Sequence, residues 1–271
     1  MTQDDLRSSP SPRTALRGEG QDVVLAVDGV VRRYGGLTAV DGVCLTLGRQ
    51  ERLAVIGPNG AGKTTLFKLI AGEVIPNSGT IRFDGRDVTQ WSARRRARLG
   101  IARTFQVSNL FPSLTVFENV RLAALAKRAA RWKFWPELGH GDADARARSR
   151  AVIDQLLLGP RMDSRVADLS HGERRQLEIA MALVVEPRLL LLDEPAAGLS
   201  LVERVRLREV LEALPRSVPF LLIEHDLSLA LELADRVLCL DNGRPIAMGT
   251  AAQIRSDPHV REVYLGRTAT S

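Results

Sequence analysis

At 271 residues, 45% of them apolar and 26% charged, the chain can fill one large domain, or a core with an attached lobe. Aromatic residues supply only 4%, so that core has to be aliphatic and alanine-rich. The longest apolar runs, such as AMALVV and LLLL, are too short to cross a bilayer, and the N-terminus has no apolar leader that would make a signal peptide. The net charge of +6 is carried almost wholly by arginine and fits nucleic acid, anionic lipid or a plain solvated surface. Cys44 and Cys239 lie in apolar, strand-like runs and read as buried reduced thiols of a cytosolic protein. The four histidines are too scattered for a metal site.

In chain order, Met1 to Gln21 is rich in Ser, Pro, Arg and Gly without a period and reads as a mobile tail. From Val23 to Leu47 the runs VVLAV and VCLTL alternate as antiparallel strands do, broken by a turn at Gly35-Gly36. Tyr34, beside that turn, suits either packing or stacking on a base. The apolar segment ERLAVIG then leads into GPNGAGKTT, which matches G-x-x-x-x-G-K-[ST] with Gly57, Pro58, Asn59, Gly60, Ala61, Gly62, Lys63, Thr64 and Thr65. Leu66, Leu69 and Ile70 follow at helical spacing up to Gly72. Strand, glycine loop and helix form the context in which backbone N–H groups and a helix N-terminus cradle a phosphate chain. Lys63 then faces the β- and γ-phosphates, and the Thr64 hydroxyl is placed for Mg²⁺. The stretch reads as a nucleoside triphosphate site.

SGTIRFDGRDV reads as a hairpin turning at Asp84-Gly85, and RRRAR, Arg94 to Arg98, as a solvated basic face. GIARTFQ reads as a strand ending at Gln106, and LTVFENVRLAAL as a helix opened by a Thr115/Glu118 capping box. RWKFWPELGHGD is an inserted loop or short helix whose Trp132, Phe134 and Trp135 suit partner contact and core packing equally. An amphipathic helix is predicted from Asp144 to Leu158, and another opens at a Ser170/Glu173 capping box and runs to about Val185. RLLLLDEP is predicted as a buried parallel strand, LVERVRLREVLEAL as a helix and VPFLLIEHD as a second buried strand ending near His225. LSLALELAD as a helix, a hairpin about Asn242-Gly243 and a short C-terminal helix complete the pattern. Strands alternating with helices indicate a mainly parallel sheet covered on both faces.

Five further residues bear on the chemistry. Asp193, ending a buried strand beside a P-loop, can hold the Mg²⁺ that Thr64 binds. Glu194, nearer the γ-phosphate, can orient or deprotonate an attacking water. His225 ends the next buried strand, and neighbouring parallel strands present their carboxyl ends to one crevice. Ser170 and Gly172 open a helix and can offer a hydroxyl and N–H groups to an anion, although a capping box alone gives the same local sequence.

The ordered set GPNGAGKT, RTFQ, LSHGE, LLLLDEP and IEHD resembles the ATP-binding cassette ATPases over about Val23 to Gly266. The resemblance implies an α/β P-loop NTPase core (about 22–106 and 183–250) with an antiparallel β subdomain. It also implies a helical subdomain (about 107–182) and a C-terminal segment at 251–271. Two chains would sandwich two ATPs head to tail, each between one P-loop and the other chain's LSHGE. By resemblance Tyr34 stacks on adenine, Gln106 senses Mg²⁺ and the γ-phosphate, Ser170 and Gly172 are signature residues, Glu194 is the catalytic base and His225 the switch histidine. His171 departs from the usual signature glycine, and Ser200 stands where an aspartate is usual. YGGLTAVDGVCL, RTFQVSNLFPSLTVFENV, LSHGERRQLEIAMAL, DEPAAGLS and VYLG are similar to the branched-chain amino acid importer ATPases. Urea and amide importers share these runs, and lipopolysaccharide-export ATPases share some of them. The implied partners are a second cassette subunit, like or unlike, and integral membrane permeases, with a periplasmic or extracellular binding protein reached through them. The implied place is the cytoplasmic face of the plasma membrane. Cassettes that act on nucleic acid carry long coiled coils or a second cassette, neither of which is in this sequence, so no nucleic-acid partner is expected.

Overall fold

The computed structural model describes residues 22–104, 110–131 and 140–265. The N-terminal tail, Gln106, Trp132, Phe134, Trp135 and Gly266 lie outside the described residues.

Two sheets are present. The first is antiparallel, in the order β2-β1-β4-β5, from β1 (Val23–Tyr34), β2 (Leu37–Gly48), β4 (Ser78–Phe83) and β5 (Arg86–Asp87). The second contains β3 (Arg52–Ile56), β6 (Ile101–Arg103), β7 (Leu189–Asp193), β8 (Phe220–Ile223), β9 (Arg236–Asp241) and β10 (Arg244–Gly249). Its order is β10-β9-β3-β8-β7-β6, parallel throughout except for the β9–β10 hairpin. Both predicted hairpins form where predicted. Asp84-Gly85 (φ 49° and 73°) and Asn242-Gly243 (φ 47° and 79°) take the left-handed pairs that tight antiparallel turns need.

The uniformly apolar strands are buried on both faces, and their alternation sorts them between two cores. Ala54, Ile56, Leu190, Leu192, Phe220 and Leu222 face one. Leu53, Val55, Leu189, Leu191, Leu221 and Ile223 face the other. Each Leu, Ile, Val or Phe among them contributes about 1.5–3 kcal/mol on burial, which is how strands of four or five residues hold together. The second core also takes the inner face of the antiparallel sheet and α1 (Lys63–Ala71), through Leu66, Phe67, Leu69 and Ile70. On the first core lie α3 (Val116–Arg131), α4 (His140–Gln155), α5 (His171–Leu183), α6 (Leu201–Glu212) and α7 (Leu227–Leu233). Among these, α3, α4 and α5 pack on one another as a helical lobe. The α/β core, antiparallel β part and helical part agree with the fold class expected from the sequence.

Five local expectations are corrected. The RRRAR run is not one solvated face. Arg94, Arg95 and Arg98 of α2 (Ala93–Leu99) are exposed, but Arg96 is fully buried. Its guanidinium donates to the carbonyls of Leu69 and Ile70 (both 2.7 Å), Thr89 and Trp91 (both 3.1 Å). It thereby caps the C-terminal end of α1, where carbonyls lack helical partners. The strand predicted to reach Gln106 ends at Arg103, where the pairing with β7 stops. Helix α4 starts at His140 rather than Asp144, because Asp142 ties its first turn to Arg146 and to Arg121 of α3. It ends at Gln155 rather than Leu158, because Leu157 turns left-handed (φ 58°) and Leu158 N–H closes back on Ile153 O. Cys239 is buried, and burial pushes its thiol up to about 12. Cys44 is only half-buried; its Sγ accepts Gly29 N–H at 3.1 Å. The expected C-terminal helix is two, α8 (Ala251–Ser256) and α9 (Pro258–Leu265).

Candidate functional site

A cavity of about 390 Å³ opens where the carboxyl end of β3 meets the antiparallel sheet. Asn59 to Thr65 form one wall, Tyr34, Leu37, Thr38 and Ala39 another, and Glu194 and Asn242 complete it. Two features shape the start of α1 beside this space. Gly62, immediately before α1, takes φ 97° and lies so close to the chain that a Cβ there would sit 2.3 Å from Ala39 O. No side chain caps α1 and no acidic residue stands in its first turn, so the helix meets the cavity with its positive dipole end.

Lys63 is 5% exposed, and its Nζ donates to Gly57 O (2.6 Å) and Pro58 O (3.0 Å). Burial draws its pKa below the ordinary lysine value, against the pull of the Glu194 carboxylate. Thr64 lines the same wall. Asp193 ends β7 and is 1% exposed. Its Oδ2 receives Arg103 Nη2 at 3.2 Å, whereas Oδ1 is buried with no hydrogen-bond partner among the described residues. Burial raises its pKa, and Arg103 opposes the shift. An unpartnered, buried carboxylate oxygen is what a divalent cation would satisfy, so the oxygen donors here fit Mg²⁺. Glu194 takes an uncommon left-handed backbone (φ 46°), held by its N–H to Ile223 O at 2.9 Å. Its Oε2 lies 4.0 Å from His225 Nδ1, so β7 and β8 bring these two residues together.

Tyr34, half-exposed at the end of β1, lines the cavity with the Arg32 guanidinium 4.6 Å over its ring. Ser170 and Gly172 are not in this wall. Ser170 caps α5 through the predicted box with Glu173, and both Ser170 and Gly172 meet Glu203 of α6. Ser170 and Gly172 thus stand apart from the cavity that Lys63 and Glu194 line.

Three residues escaped the sequence reading. Glu224, fully buried, accepts Ala196 N–H at 3.0 Å and lies 3.7 Å from His225 Nδ1; its signal was an acid locked inside the run FLLIEH. Burial raises its pKa. Arg103 joins Asp193 to Glu73, a link no local pattern announces. Glu203 stands three residues after Ser200, the same capping-box spacing that located Ser170 and Glu173.

Comparison with known proteins agrees with this geometry. A family model described as "ABC transporter" matches residues 40–197, and a second, "Branched-chain amino acid ATP-binding cassette transporter", matches residues 244–270. The chain is 38% identical over 250 residues to the high-affinity branched-chain amino acid transport ATP-binding protein LivG of Salmonella typhimurium, covering 90% of this chain and 98% of that one. It is 37% identical over 251 residues to the corresponding BraF of Pseudomonas aeruginosa, with the same coverage. Among solved structures, the ADP conformation of MJ1267, an ATP-binding cassette of an ABC transporter, superposes with a TM-score of 0.79 at 28% identity. That superposition covers 91% of this chain and all of the other. With the phosphate loop and Glu194 lining one cavity, His225 beside that glutamate, and matches of this extent, the chain belongs to the ABC transporter family as one of its ATP-binding cassettes.

Proposed function

We propose that this chain is the ATP-hydrolysing subunit of an importer for branched-chain or related amino acids. The observation that carries the substrate class is the branched-chain match at residues 244–270, added to near full-length likeness to LivG and BraF. Hydrolysis is supported by Lys63 and Glu194 sharing one cavity with His225 beside Glu194. Adenine stacks on Tyr34, and residues 57–65 hold the phosphates. Thr64 and Asp193 would hold Mg²⁺, assisted by Gln106, and the ion would neutralise charge on the phosphates. Glu194 takes the proton of the attacking water, and His225 holds that carboxylate in register. The second wall comes from Ser170 and Gly172 of a second cassette subunit, like or unlike this one. Among the described residues no helix is long and apolar enough to cross a membrane. Permease subunits hold the cassette at the cytoplasmic face. Uptake of labelled leucine, isoleucine and valine, with urea as the comparison, tests the reading in cells whose only copy carries Glu194→Gln. Loss confined to the branched-chain substrates is expected; unchanged uptake of all three, or loss of urea uptake alone, overturns it.

Two further outcomes are expected. Lys63→Ala removes a charge whose contacts to phosphate are each worth roughly 1.5–3 kcal/mol, so ATP affinity falls about tenfold or more. Calorimetry that finds unchanged ATP binding would sink the P-loop assignment. A cleft of about 900 Å³ lies beside Thr104, Leu110, Ala123 and Met181, and supports docking of a permease loop against the segment from Gln106 to Val120. Cysteines at Leu110 or half-exposed Phe111 are expected to crosslink to a cytoplasmic permease loop. Crosslinks found only at residues 251–271 would move the docking face.

A further inference from the structure

The N-terminal end of α5 already holds an anion, and that anion belongs to the chain itself. Glu203 Oε1 accepts Gly172 N–H at 2.9 Å and the Ser170 hydroxyl at 3.3 Å. Its Oε2 accepts Ser200 N–H at 3.0 Å and the Ser200 hydroxyl at 2.8 Å. One carboxylate therefore bridges the first turns of α5 and α6, where two helix dipoles both favour negative charge. The approach is tight: a Cβ at Gly172 would lie 2.8 Å from Glu203 Cγ and Oε1. Its bonds from Ser200, and then from Gly172, pull the carboxyl down to about 2, so it is ionised at any physiological pH.

Ser170 and Gly172 are the two groups proposed above to meet the γ-phosphate of a nucleotide held by a second chain. Each offers one proton, and here both are directed to Glu203. A carboxylate and a phosphate cannot share the same two donors, because like charges at contact distance repel and only one can be solvated by them. We propose that Glu203 is a built-in stand-in for that γ-phosphate: it fills the anion end of α5 within the single chain and must leave before two cassettes close on ATP. Leu201 and Val202, its neighbours in the first turn of α6, are about four-fifths exposed, so protein does not wall off the outward path. The consequence is regulatory. Closure needs an ATP-bearing partner that outcompetes a covalently tethered anion, which raises the ATP concentration for dimer formation and keeps lone chains from closing on weaker anions. The inference rests on the reading of Ser170 and Gly172 as the signature pair, and the test separates the two.

The test uses the full-length protein carrying Glu194→Gln, which traps nucleotide, and follows dimer formation by size-exclusion chromatography across an ATP series. Glu203→Gln keeps the shape and an oxygen for the Ser200 capping box, since Gln serves there as well as Glu. It replaces charge-assisted bonds to Ser170 and Gly172 with neutral ones about half as strong. The expected result is a half-dimer ATP concentration lower by about tenfold, with the ATP affinity of the single chain unchanged by calorimetry. Glu203→Asp, whose shorter arm withdraws from Gly172, is expected to shift in the same direction and stands in should the Gln variant fail to fold. A half-dimer concentration that stays the same or rises overturns the proposal, because Glu203 would then support the closed state rather than oppose it. Adding Ser170→Arg to the Glu194→Gln parent is the control. If dimers survive that change, the signature reading itself has failed; if they vanish while Glu203→Gln shifts nothing, only the stand-in has.

Discussion

Replacing Glu194 with Gln is expected to lower ATP hydrolysis by roughly 10²–10⁴, the usual contribution of a positioned general base, while leaving ATP binding intact. The amide keeps the size of the carboxylate and an oxygen that can accept from water, but it cannot take the proton. Binding survives because Lys63, Thr64 and the first turn of α1 are untouched, and Asp193 keeps its place at the end of β7. The backbone is equally indifferent: the left-handed conformation at 194 is held by the N–H bond to Ile223 O, which Gln retains. The ATP-bound state should then persist, and two chains with two trapped nucleotides should migrate as a dimer. Phosphate release under single-turnover conditions reads the chemistry, and chromatography with ATP reads the dimer. A variant that hydrolyses at the wild-type rate refutes Glu194 as the base. Dimers that survive the further change Ser170→Arg refute the sandwich geometry, since a bulky cation would fill the place of the partner's γ-phosphate.

The largest effect expected on stability belongs to Arg96→Met. Methionine keeps most of the aliphatic stem and deletes every donor, leaving the carbonyls of Leu69, Ile70, Thr89 and Trp91 short of a partner in a buried place. Leu69 O keeps the Gly72 N–H, so three carbonyls are left bare; each costs roughly 1–3 kcal/mol, offset by no longer desolvating a guanidinium, so a net of about 3–5 kcal/mol is expected. Burial lowers the Arg96 pKa only to about 10, so the side chain is a cation at neutral pH and its bonds to the carbonyls of α1 are charge-assisted. Urea denaturation should show a lower midpoint with an unchanged slope. Arg95→Met is the comparison. Arg95 is exposed and, among the described residues, stacks on the face of Trp91, 3.5 Å to the ring centroid, so its loss should stay within about 0.5–1 kcal/mol. Equal effects from the two changes would show that the basic run, and not the burial of one member, matters for folding.

What could be read from the sequence was local. GPNGAGKTT announces a turn and a helix start because its glycines and its spacing act within one loop, and the structure places that loop at a cavity. Ser170 with Glu173, Asp84-Gly85 and Asn242-Gly243 were legible for the same reason: a cap or a left-handed pair is a demand on a few consecutive residues. Runs such as RLLLLD are apolar on both faces and so declared themselves interior strands. What the sequence could not show was which distant segments would meet. Arg96 is one arginine among four in a basic run, and only the docking of α2 against the end of α1 removes it from water. Glu203 lies 31 residues from Gly172, and only the packing of α6 beside α5 sets its carboxylate on that N–H. Placing β7 next to β8 is likewise what brings His225 to Glu194. Hydrophobic period and turn chemistry fix each element's conformation and its buried face, but many sheet orders satisfy the same pattern. Which carboxylate meets which helix end is decided when the elements dock, by the volume and charge left at each junction.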